Sequence, residues 1–397
     1  MADPTDADRP RETGGMIVMF HDGIDRAAQE DCLHHCIGAE ARALSLDTQQ
    51  PSDAGPEVPG VLLGDSGIAI VFARADTAAA RTRLSADGKV ALIRPEFWMY
   101  ALDTFQDSAT ATWGLQAVGA DRSAFTGKGV RLCVLDTGLD LAHPDFQGRQ
   151  ITSRSFVPDE GVEDANSHGT HCAGTAAGGR SARGTPRYGV APDADLMIGK
   201  VLGNNGAGRE RDILTAMLWA IEERAAVISM SLGRAVQSGE GPSADYERVG
   251  SLALSRGALI VAAAGNESVR ANGRIAPVGA PANAPSIMAV AALDPNLGIA
   301  DFSSGGVNPN GGQVDIAAPG VAILSSVPGA DRYKTLRGTS MACPHVAGLA
   351  ALWAQSDPAL RGRALWDRMT GAVTRLPLPA RDAGAGLAQA PGMAKTA

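Results

Sequence analysis

The sequence has no long apolar run, no block of basic residues and no excess of positive charge. None of the apolar stretches in its 397 residues reaches the length that a helix needs to span a bilayer. Its 35 lysine and arginine residues are outnumbered by 43 acidic residues, which gives a net charge of −8. Nucleic acids and anionic membrane surfaces are therefore not expected among its partners.

The sequence also lacks a signal-peptide pattern and an even number of cysteines. Residues 1–8 are polar and acidic, without the basic and apolar regions of a signal peptide. Of the five cysteines, Cys133, Cys172 and Cys343 lie in apolar or motif segments and are expected to be free thiols, as in a reducing compartment. These features predict a cytoplasmic location, with export by another route as the alternative. Cys32 and Cys36 stand one helical turn apart, but no second ligand pair follows, so an ordinary helix face is favoured over a metal site.

The apolar residues that are present suffice for a large core and a smaller one. Hydrophobic residues make up 45% of the chain, and 48 glycines indicate tight packing and many turns. Residues 1–14 are expected to be a disordered tail. Residues 15–100 show strand and helix patterns in the order β-α-β-β-α-β, which is typical of a ferredoxin-like α+β unit. The predicted elements are strand Met16–Phe20, a helix from about Asp25 to Leu46, strands Val61–Leu63 and Ile68–Phe72, helix Thr77–Leu84 and strand Val90–Arg94.

A polar linker at 101–112 leads to a larger unit at 113–385, which a tail at 386–397 follows. Short, uninterrupted apolar runs predict buried parallel strands, and the helical patterns between them place helices on both faces, so the fold class is α/β with a mostly parallel sheet. The strands are predicted at Leu132–Leu135, Leu196–Val201, Val227–Met230, Leu259–Ala264, Ile287–Ala292 and Val314–Ala317, and the helices at His168–Ala177, Glu210–Arg224, Ala244–Arg256 and Gly362–Thr370. Asp136, Ser231 and Asn266 each follow such a strand, and we expect them on one rim of the sheet, where ligands bind in parallel sheets.

The segment Gly338-Thr339-Ser340 opens another apolar helical run, from Val346 to Trp353. In this interpretation Ser340 lies among the unpaired N–H groups of a helix N-terminus, at the positive end of the helix dipole. Such a place suits a nucleophile, because the N–H groups can stabilise an oxyanion that forms beside it. The alternative is that Ser340 only caps the helix.

Three stretches resemble the catalytic motifs of the subtilisin-like serine proteases (subtilases), and they occur in that family's order. They are Val-Leu-Asp-Thr-Gly at 134–138, Ser-His-Gly-Thr-His-Cys-Ala-Gly at 167–174 and Gly-Thr-Ser-Met-Ala-Cys-Pro-His-Val-Ala-Gly at 338–348. The resemblance implies a subtilisin-like three-layer domain with serine endopeptidase activity, made as a self-inhibited zymogen. It also implies that the amino-terminal unit is an inhibitor-like prodomain, which subtilases commonly carry.

The same resemblance assigns catalytic roles to four residues. Ser340 would be the nucleophile, His168 its general base, Asp136 the group that orients His168, and Asn266 an oxyanion donor together with the Ser340 N–H. No cofactor is expected for catalysis, and a structural calcium ion is left open without assigned ligands. Asp145 matches an aspartate that binds calcium in some subtilases, but the loop 178–188 lacks their asparagine-bearing calcium loop.

For the substrate, the resemblance implies two edges that clamp an extended peptide as an added strand. The edges are Gly206-Ala207-Gly208 and Ser231-Leu232-Gly233, while Ala263, Ala264, Gly265 and Gly279 would wall the S1 pocket and Glu267 would stand at its mouth. Small apolar walls favour an apolar or aromatic P1 side chain. Arg234 departs from the family's pattern, in which a second glycine is usual, and is expected to narrow or charge the cleft.

The expected partners are protein or peptide substrates and the chain's own prodomain as a cis-inhibitor. Phe97-Trp98-Met99-Tyr100 is expected to thread the non-primed side of the cleft, which makes Tyr100–Ala101 the expected site of self-cleavage. The alternative is that these side chains only pack the interface between two permanently joined domains.

Two other classes of function are open at this point. A pseudo-protease or a permanently self-inhibited binding module would have the same domains, although every catalytic residue is present. A zinc hydrolase using His168, His171 and Cys172 is the third interpretation, but a glutamate after the first histidine and a distant third ligand are lacking. In a protease, His171 and His345 are expected to make packing contacts.

Overall fold

A computed structural model describes residues 12–37, 42–44, 60–63, 66–72, 77–101, 105–106, 113–179 and 186–392. The chain forms an amino-terminal α+β unit and a larger α/β unit that are packed against each other. None of the helices in these described ranges is long and apolar enough to cross a membrane.

The amino-terminal unit is an antiparallel sheet with two helices. Its elements are β1 (Glu12–Phe20), α1 (Arg26–Ile37), β2 (Arg42–Leu44), β3 (Gly60–Leu63), β4 (Ile68–Val71), α2 (Thr77–Ala86) and β5 (Val90–Ala101). The strands follow the order β5-β1-β4-β3, and β2 adds a short parallel edge strand beside β3. The predicted β-α-β-β-α-β order is therefore present, with one strand more than expected.

Three predictions for this unit were wrong in detail. The helix predicted to reach Leu46 is described only as Arg26–Ile37, and part of its predicted range is the strand β2 at Arg42–Leu44. The predicted tail to residue 14 overlaps β1, which begins at Glu12, while residues 1–11 and the predicted loop 50–59 lie outside the described residues. The last strand is much longer than predicted, because β5 continues to Ala101.

Both faces of the amino-terminal sheet are buried. On β1, Val18 and Phe20 pack into a small core with side chains of α1 and α2. Ile17 and Met19, which point the other way, belong to the large core of the second unit. The sheet therefore has apolar residues for two partners, its own helices and the larger unit.

The strands of the larger unit are β6 (Phe105–Gln106), β7 (Arg131–Asp136), β8 (Thr152–Ser155), β9 (Asp195–Lys200), β10 (Ala207–Arg209), β11 (Val227–Met230), β12 (Leu232–Gly233), β13 (Leu259–Ala263), β14 (Met288–Leu293), β15 (Ile316–Pro319), β16 (Ile323–Ser326) and β17 (Tyr333–Arg337). Seven of these strands form a parallel sheet in the order β15-β14-β13-β11-β7-β9-β8. The helices of the larger unit are α3 (Trp113–Ala117), α4 (His168–Ala177), α5 (Glu210–Glu222), α6 (Ala244–Ser255), α7 (Thr339–Ser356), α8 (Gly362–Gly371) and α9 (Ala380–Ala383). The α/β fold predicted from the apolar runs is confirmed.

The connecting segments differ from their predictions. Within the predicted linker 101–112, Ala101 still belongs to β5, and β6 pairs with β17. The predicted tail from residue 386 is attached to the domain, because the N–H groups of Leu387 and Ala388 donate to Thr374 and Ala317. Residues 393–397 lie outside the described part of the chain.

Candidate active site

Asp136 and His168 form a buried hydrogen-bonded pair. Asp136 is the last residue of β7, and His168 is the first residue of α4. The distance between Asp136 Oδ1 and His168 Nδ1 is 2.7 Å, and the two residues are only 1% and 4% exposed. Burial lowers the pKa of His168, but the charge and the hydrogen bond of Asp136 outweigh it, so the pKa lies above its ordinary value.

Two motif glycines allow this pair to form. A Cβ added to Gly169 would lie 2.3 Å from the carbonyl oxygen of Gly138, which no side chain could tolerate. Gly138 itself has a φ of +109°, in the region that favours glycine. The first turn of α4 can therefore lie directly against the end of β7, which brings His168 to Asp136.

Asp164, which was not among the residues predicted from the sequence, holds the start of α4 in place. Its two carboxylate oxygens accept hydrogen bonds from the N–H groups of Ser167 and Thr170 at 2.9 and 2.8 Å and from the hydroxyls of Thr137 and Thr170 at 2.9 and 2.7 Å. A carboxylate at a helix N-terminus also stabilises the helix dipole. Its position four residues before the motif histidine was the available signal.

Lys200 is a second residue near the site that was not predicted from the sequence. It ends β9, is fully buried, and donates to the carbonyl oxygen of Thr137, next to Asp136. Its ammonium group also lies 2.9 Å from Asn204 Oδ1 and 3.2 Å from Glu160 Oε2. A lysine in an otherwise apolar strand could have been recognised as unusual, because buried lysines need such partners.

Ser340 lies in the first turn of α7, as predicted. Its Oγ is 3.5 Å from the carbonyl oxygen of Ser231, and Ser231 Oγ donates to the carbonyl oxygen of Ser340 at 2.8 Å. Cys172 Sγ lies 3.8 Å from His168 Nδ1 and 3.4 Å from the Ser340 carbonyl oxygen, so α4 and α7 begin side by side. Nε2 of His168 is buried and makes no hydrogen bond among the described residues, so it can accept a proton.

Asn266 is oriented by the residue before the serine. Its Oδ1 accepts hydrogen bonds from the N–H and the hydroxyl of Thr339 at 2.8 and 3.0 Å. Because this fixes the carbonyl end of the amide, its donor end is the NH₂ group on the opposite side. The side chain is thus set next to Ser340 with a defined orientation.

The two predicted substrate edges flank β5. On one side Ala207, Gly208 and Arg209 pair with Tyr100, Met99 and Trp98, and on the other Leu232 and Gly233 pair with Ala101 and Tyr100. Both pairings are antiparallel. Gly206 precedes the first edge with a φ of +79°, and a Cβ on Gly208 would lie 2.2 Å from the carbonyl oxygen of Val201. The cleft therefore holds a segment of this chain as the middle strand of three.

The residues predicted for the S1 pocket are also brought together. Gly279 donates from its N–H to the carbonyl oxygen of Ala264 at 2.9 Å, next to Ala263 at the end of β13. The carboxylate of Glu267 is folded over Gly265 and accepts a hydrogen bond of 3.1 Å from Ser304. Arg234 is buried, with Nη2 only 2.6 Å from Glu240 Oε1, so this departure from the family's pattern brings its own counter-charge.

The other histidines serve packing, as expected. Nε2 of His171 lies 3.1 and 3.0 Å from the carbonyl oxygens of Ile323 and Lys334, and Nδ1 of His345 lies 2.7 Å from that of Met341. Burial lowers the pKa of His171 to about 3 and that of His345 to about 4. The zinc interpretation loses its second histidine, because His171 is engaged by carbonyl groups away from His168.

The surroundings of Asp145 do not fit a calcium ion. One carboxylate oxygen accepts the hydroxyl of Tyr188, and the other accepts the hydroxyl of Tyr333 at 3.1 Å. Calcium sites instead gather six to eight oxygen ligands, mostly carboxylates, carbonyls and waters. Residues 180–185 of the neighbouring loop lie outside the described part of the chain.

Comparison with known proteins agrees with this geometry. The sequence model of the Subtilase family matches residues 127–386. Subtilisin E of Bacillus subtilis (strain 168) is 39% identical over 264 residues, which are 66% of this chain and 65% of that protein. Subtilisin Savinase of Lederbergia lenta is 40% identical over 268 residues, 66% of this chain and 91% of that protein. M-protease of Shouchella clausii (strain KSM-K16) is 42% identical over 250 residues, 62% of this chain and 60% of that protein. The chain thus spans slightly less than two thirds of Subtilisin E and M-protease.

These relatives contradict the predicted cytoplasmic location, because they are secreted extracellular subtilisins. The cysteines do not indicate a reducing compartment, for a physical reason. All five thiols are free, and all five are buried. Packing keeps a buried thiol unreactive in any compartment, so its reduced state does not report on location.

Proposed function

The chain belongs to the subtilase family, and on that basis we propose that it is a serine endopeptidase that cleaves peptide bonds through an acyl-enzyme. The observation that carries this proposal is the Asp136–His168 pair beside Ser340 at the start of α7. Hydrolysis by such a triad requires no cofactor.

Each residue has a step that its contacts support. Nε2 of His168 takes the proton of Ser340 as Oγ attacks the scissile carbonyl carbon, and Asp136 stabilises the resulting imidazolium. The oxyanion accepts hydrogen bonds from the Ser340 N–H, in the first turn of α7, and from the NH₂ group of Asn266. His168 then returns the proton to the leaving amine, and a water molecule hydrolyses the acyl-enzyme by the same route.

The substrate is an extended peptide that adds a strand to both edges of the cleft. The position of β5 between β10 and β12 supports this binding mode, because backbone pairing on two sides aligns any sequence. Side-chain selection then depends on the S1 pocket, where the small walls of Ala263, Ala264 and Gly279 favour an apolar or aromatic P1 residue.

The amino-terminal unit, residues 15–100, is the inhibitor of this cleft. Its sheet packs Ile17 and Met19 into the core of the larger unit, and its last strand fills the substrate edges. A permanently inhibited chain would have the same contacts. The presence of the complete triad favours a zymogen that processes itself.

On the register of β5 we propose a self-cleavage site other than the expected Tyr100–Ala101. Tyr100 pairs with Gly233 and Ala101 with Leu232, so one further step reaches Ser231, whose hydroxyl contacts Ser340. Beyond the gap, Phe105 pairs with Arg337, three residues before the serine. Residues 102–104 lie outside the described residues. Because Ala101 already pairs with the residue next to Ser231, we propose that the bond cleaved lies one residue further along the chain, at Leu102–Asp103.

Replacement of Ser340 by alanine tests the function directly. Hydrolysis of a chromogenic peptide should fall by about 10⁶-fold in kcat, because triad residues act as a unit. Ser356→Ala, at the other end of α7, is the matched control and should retain activity. Labelling of the unsubstituted chain by a fluorophosphonate, and its loss in Ser340→Ala, distinguishes a peptidase from a binding module. Peptide hydrolysis that survives in Ser340→Ala would refute the proposal.

A further inference from the structure

Arg94 is a charged residue on the face of the amino-terminal sheet that packs against the larger unit. Its cross-strand neighbours on that face are apolar. It stands opposite Ile17 on β1, and Ile17 stands opposite Ile70 on β4. Both isoleucines are buried in the large core, and the side chain of Arg94 is only 11% exposed. A guanidinium in such a position needs anionic partners, because its transfer from water is costly.

Two carboxylates of the larger unit bind this guanidinium. Nη1 of Arg94 lies 2.6 Å from Glu210 Oε2, and Nη2 is paired with Asp245 Oδ2. Both acidic side chains are fully buried. Glu210 is the first residue of α5 and Asp245 lies in the first turn of α6, so the positive ends of two helix dipoles also stabilise their charges.

The aromatic ring of Tyr246 completes the site. Its centroid lies 5.8 Å from Cζ of Arg94, within the range of a cation–π contact. The planar guanidinium of Arg94, with its N–H donors, thus meets two carboxylate acceptors and an aromatic ring. This is the chemistry that distinguishes arginine from lysine in recognition.

We propose that Glu210, Asp245 and Tyr246 form a binding site for one arginine side chain, and that Arg94 is the residue by which the larger unit recognises its own amino-terminal unit. Arg94 lies on the same strand as residues 98–101, so its capture also sets the register of β5 between β10 and β12. An inhibitory segment without arginine at this position would leave two carboxylates buried without their cation, which excludes it. This inference rests on the proposed function in taking the amino-terminal unit as the inhibitor.

A second ion pair between the two units provides a matched control. Asp22 and Arg248 are joined at 2.7 Å, but the side chain of Asp22 is 97% exposed. An exposed pair contributes little, because water screens it and both side chains lose freedom. Asp22→Asn should therefore leave the contact between the units unchanged.

The experiment uses the full chain with Ser340→Ala, so that it depends on no catalysis. Hydrogen–deuterium exchange followed by mass spectrometry reports on the amides of 207–209, which pair with β5. Arg94→Met should speed exchange in this segment by about tenfold to a hundredfold, since one partner of a buried ionic cluster is removed. The triple variant Arg94→Met, Glu210→Gln, Asp245→Asn removes the charges together and should restore slow exchange.

Three results would overturn the proposal. Arg94→Met could leave exchange in 207–209 at the parent rate, Asp22→Asn could speed it equally, or Arg94→Lys could preserve protection as well as arginine does. Unfolding of the whole chain is recognised by fast exchange in β13, which lies in the centre of the parallel sheet. If Arg94→Met unfolds the chain, Arg94→Lys and the triple variant still decide the question. Failure of the proposed peptidase activity would appear only in the chain with Ser340 intact, and therefore separately.

Discussion

His168 carries the balance of electrostatic effects on which the proposed chemistry depends. Its burial alone would keep the ring neutral, as burial does for His171 and His345. Only His168 has a carboxylate against Nδ1, and the Asp136 contact reverses the direction of the pKa shift. These three buried histidines of α4 and α7 therefore differ in the direction of their pKa shift because of the contact with Asp136.

The pH dependence of activity should reflect this shift. A base must be neutral to accept a proton. The raised pKa keeps His168 protonated at pH values above the ordinary histidine pKa of 6.5. We expect kcat/KM to rise with pH as His168 loses its proton, with the midpoint of the rise above pH 6.5, and to level off at alkaline pH. Asp136→Asn should lower kcat by about 10⁴-fold and move the midpoint to lower pH. A midpoint at the same pH in both proteins would show that Asp136 does not set this pKa.

Glu267 should determine which P1 residues are disfavoured. Its half-buried carboxylate is folded over Gly265, so a P1 carboxylate in the same pocket would be repelled. Glu267→Gln should raise kcat/KM for a P1 aspartate relative to a P1 phenylalanine by about tenfold, or about 1.4 kcal/mol. Glu223→Gln, at the far end of α5, should leave this ratio unchanged. A parent enzyme that prefers acidic P1 residues would contradict the prediction.

At the scale of elements, Asp145 joins two segments that are distant in the sequence. Tyr188 follows the loop after α4, and Tyr333 begins β17, the strand that leads into Ser340. Tyr188→Phe should lower the free energy of unfolding by about 1–3 kcal/mol, because it leaves a largely buried carboxylate oxygen without its donor. The measurement is denaturant unfolding in the Ser340→Ala background.

A double-mutant cycle with Asp145→Asn separates this clamp from a metal site. We expect a coupling energy between Tyr188 and Asp145 that is the same with added calcium and with a chelator. A coupling that disappears on chelation would show that calcium, and not the hydroxyl groups, holds the two segments.

The elements that the sequence predicted best are those whose signal is local. The strand Val227–Met230 and the helix His168–Ala177 were located to the residue, because an apolar run or a motif marks both ends. Asp136, His168 and Ser340 were expected from local motifs in the same way, and they lie at the end of β7, the start of α4 and the first turn of α7. β5 was underestimated because its last residues pair with β10 and β12, more than a hundred positions away, and no local pattern encodes such partners. Asp164 was missed because its role depends on hydrogen bonds that exist only in the folded chain.

At the scale of the whole molecule, the chain pairs with its own predicted substrate edges and with the strand that leads to Ser340. β5 ends at Ala101 beside β12, and β6 resumes at Phe105 beside β17. The sheet behind β5 is anchored by apolar residues and by Arg94, so the segment in the cleft is held at a fixed register. If the proposed function holds, we expect such anchoring to favour one cut over many.

Intact mass spectrometry of the purified chain locates that cut. We expect two fragments, ending at Leu102 and beginning at Asp103, because the proposed cut lies one residue beyond Ala101, which pairs with Leu232 next to Ser231. Ser340→Ala should remain a single chain. Leu102 is the P1 residue of the proposed cut, so Leu102→Asp should slow processing, because a P1 carboxylate is disfavoured by Glu267. Thr104→Asp adds the same charge on the other side of that bond and should have little effect. Fragments that end at Tyr100 would mean that the strand shifts by two residues before it is cut, and a variant Leu102→Asp that is processed at the parent rate would place the cleaved bond elsewhere.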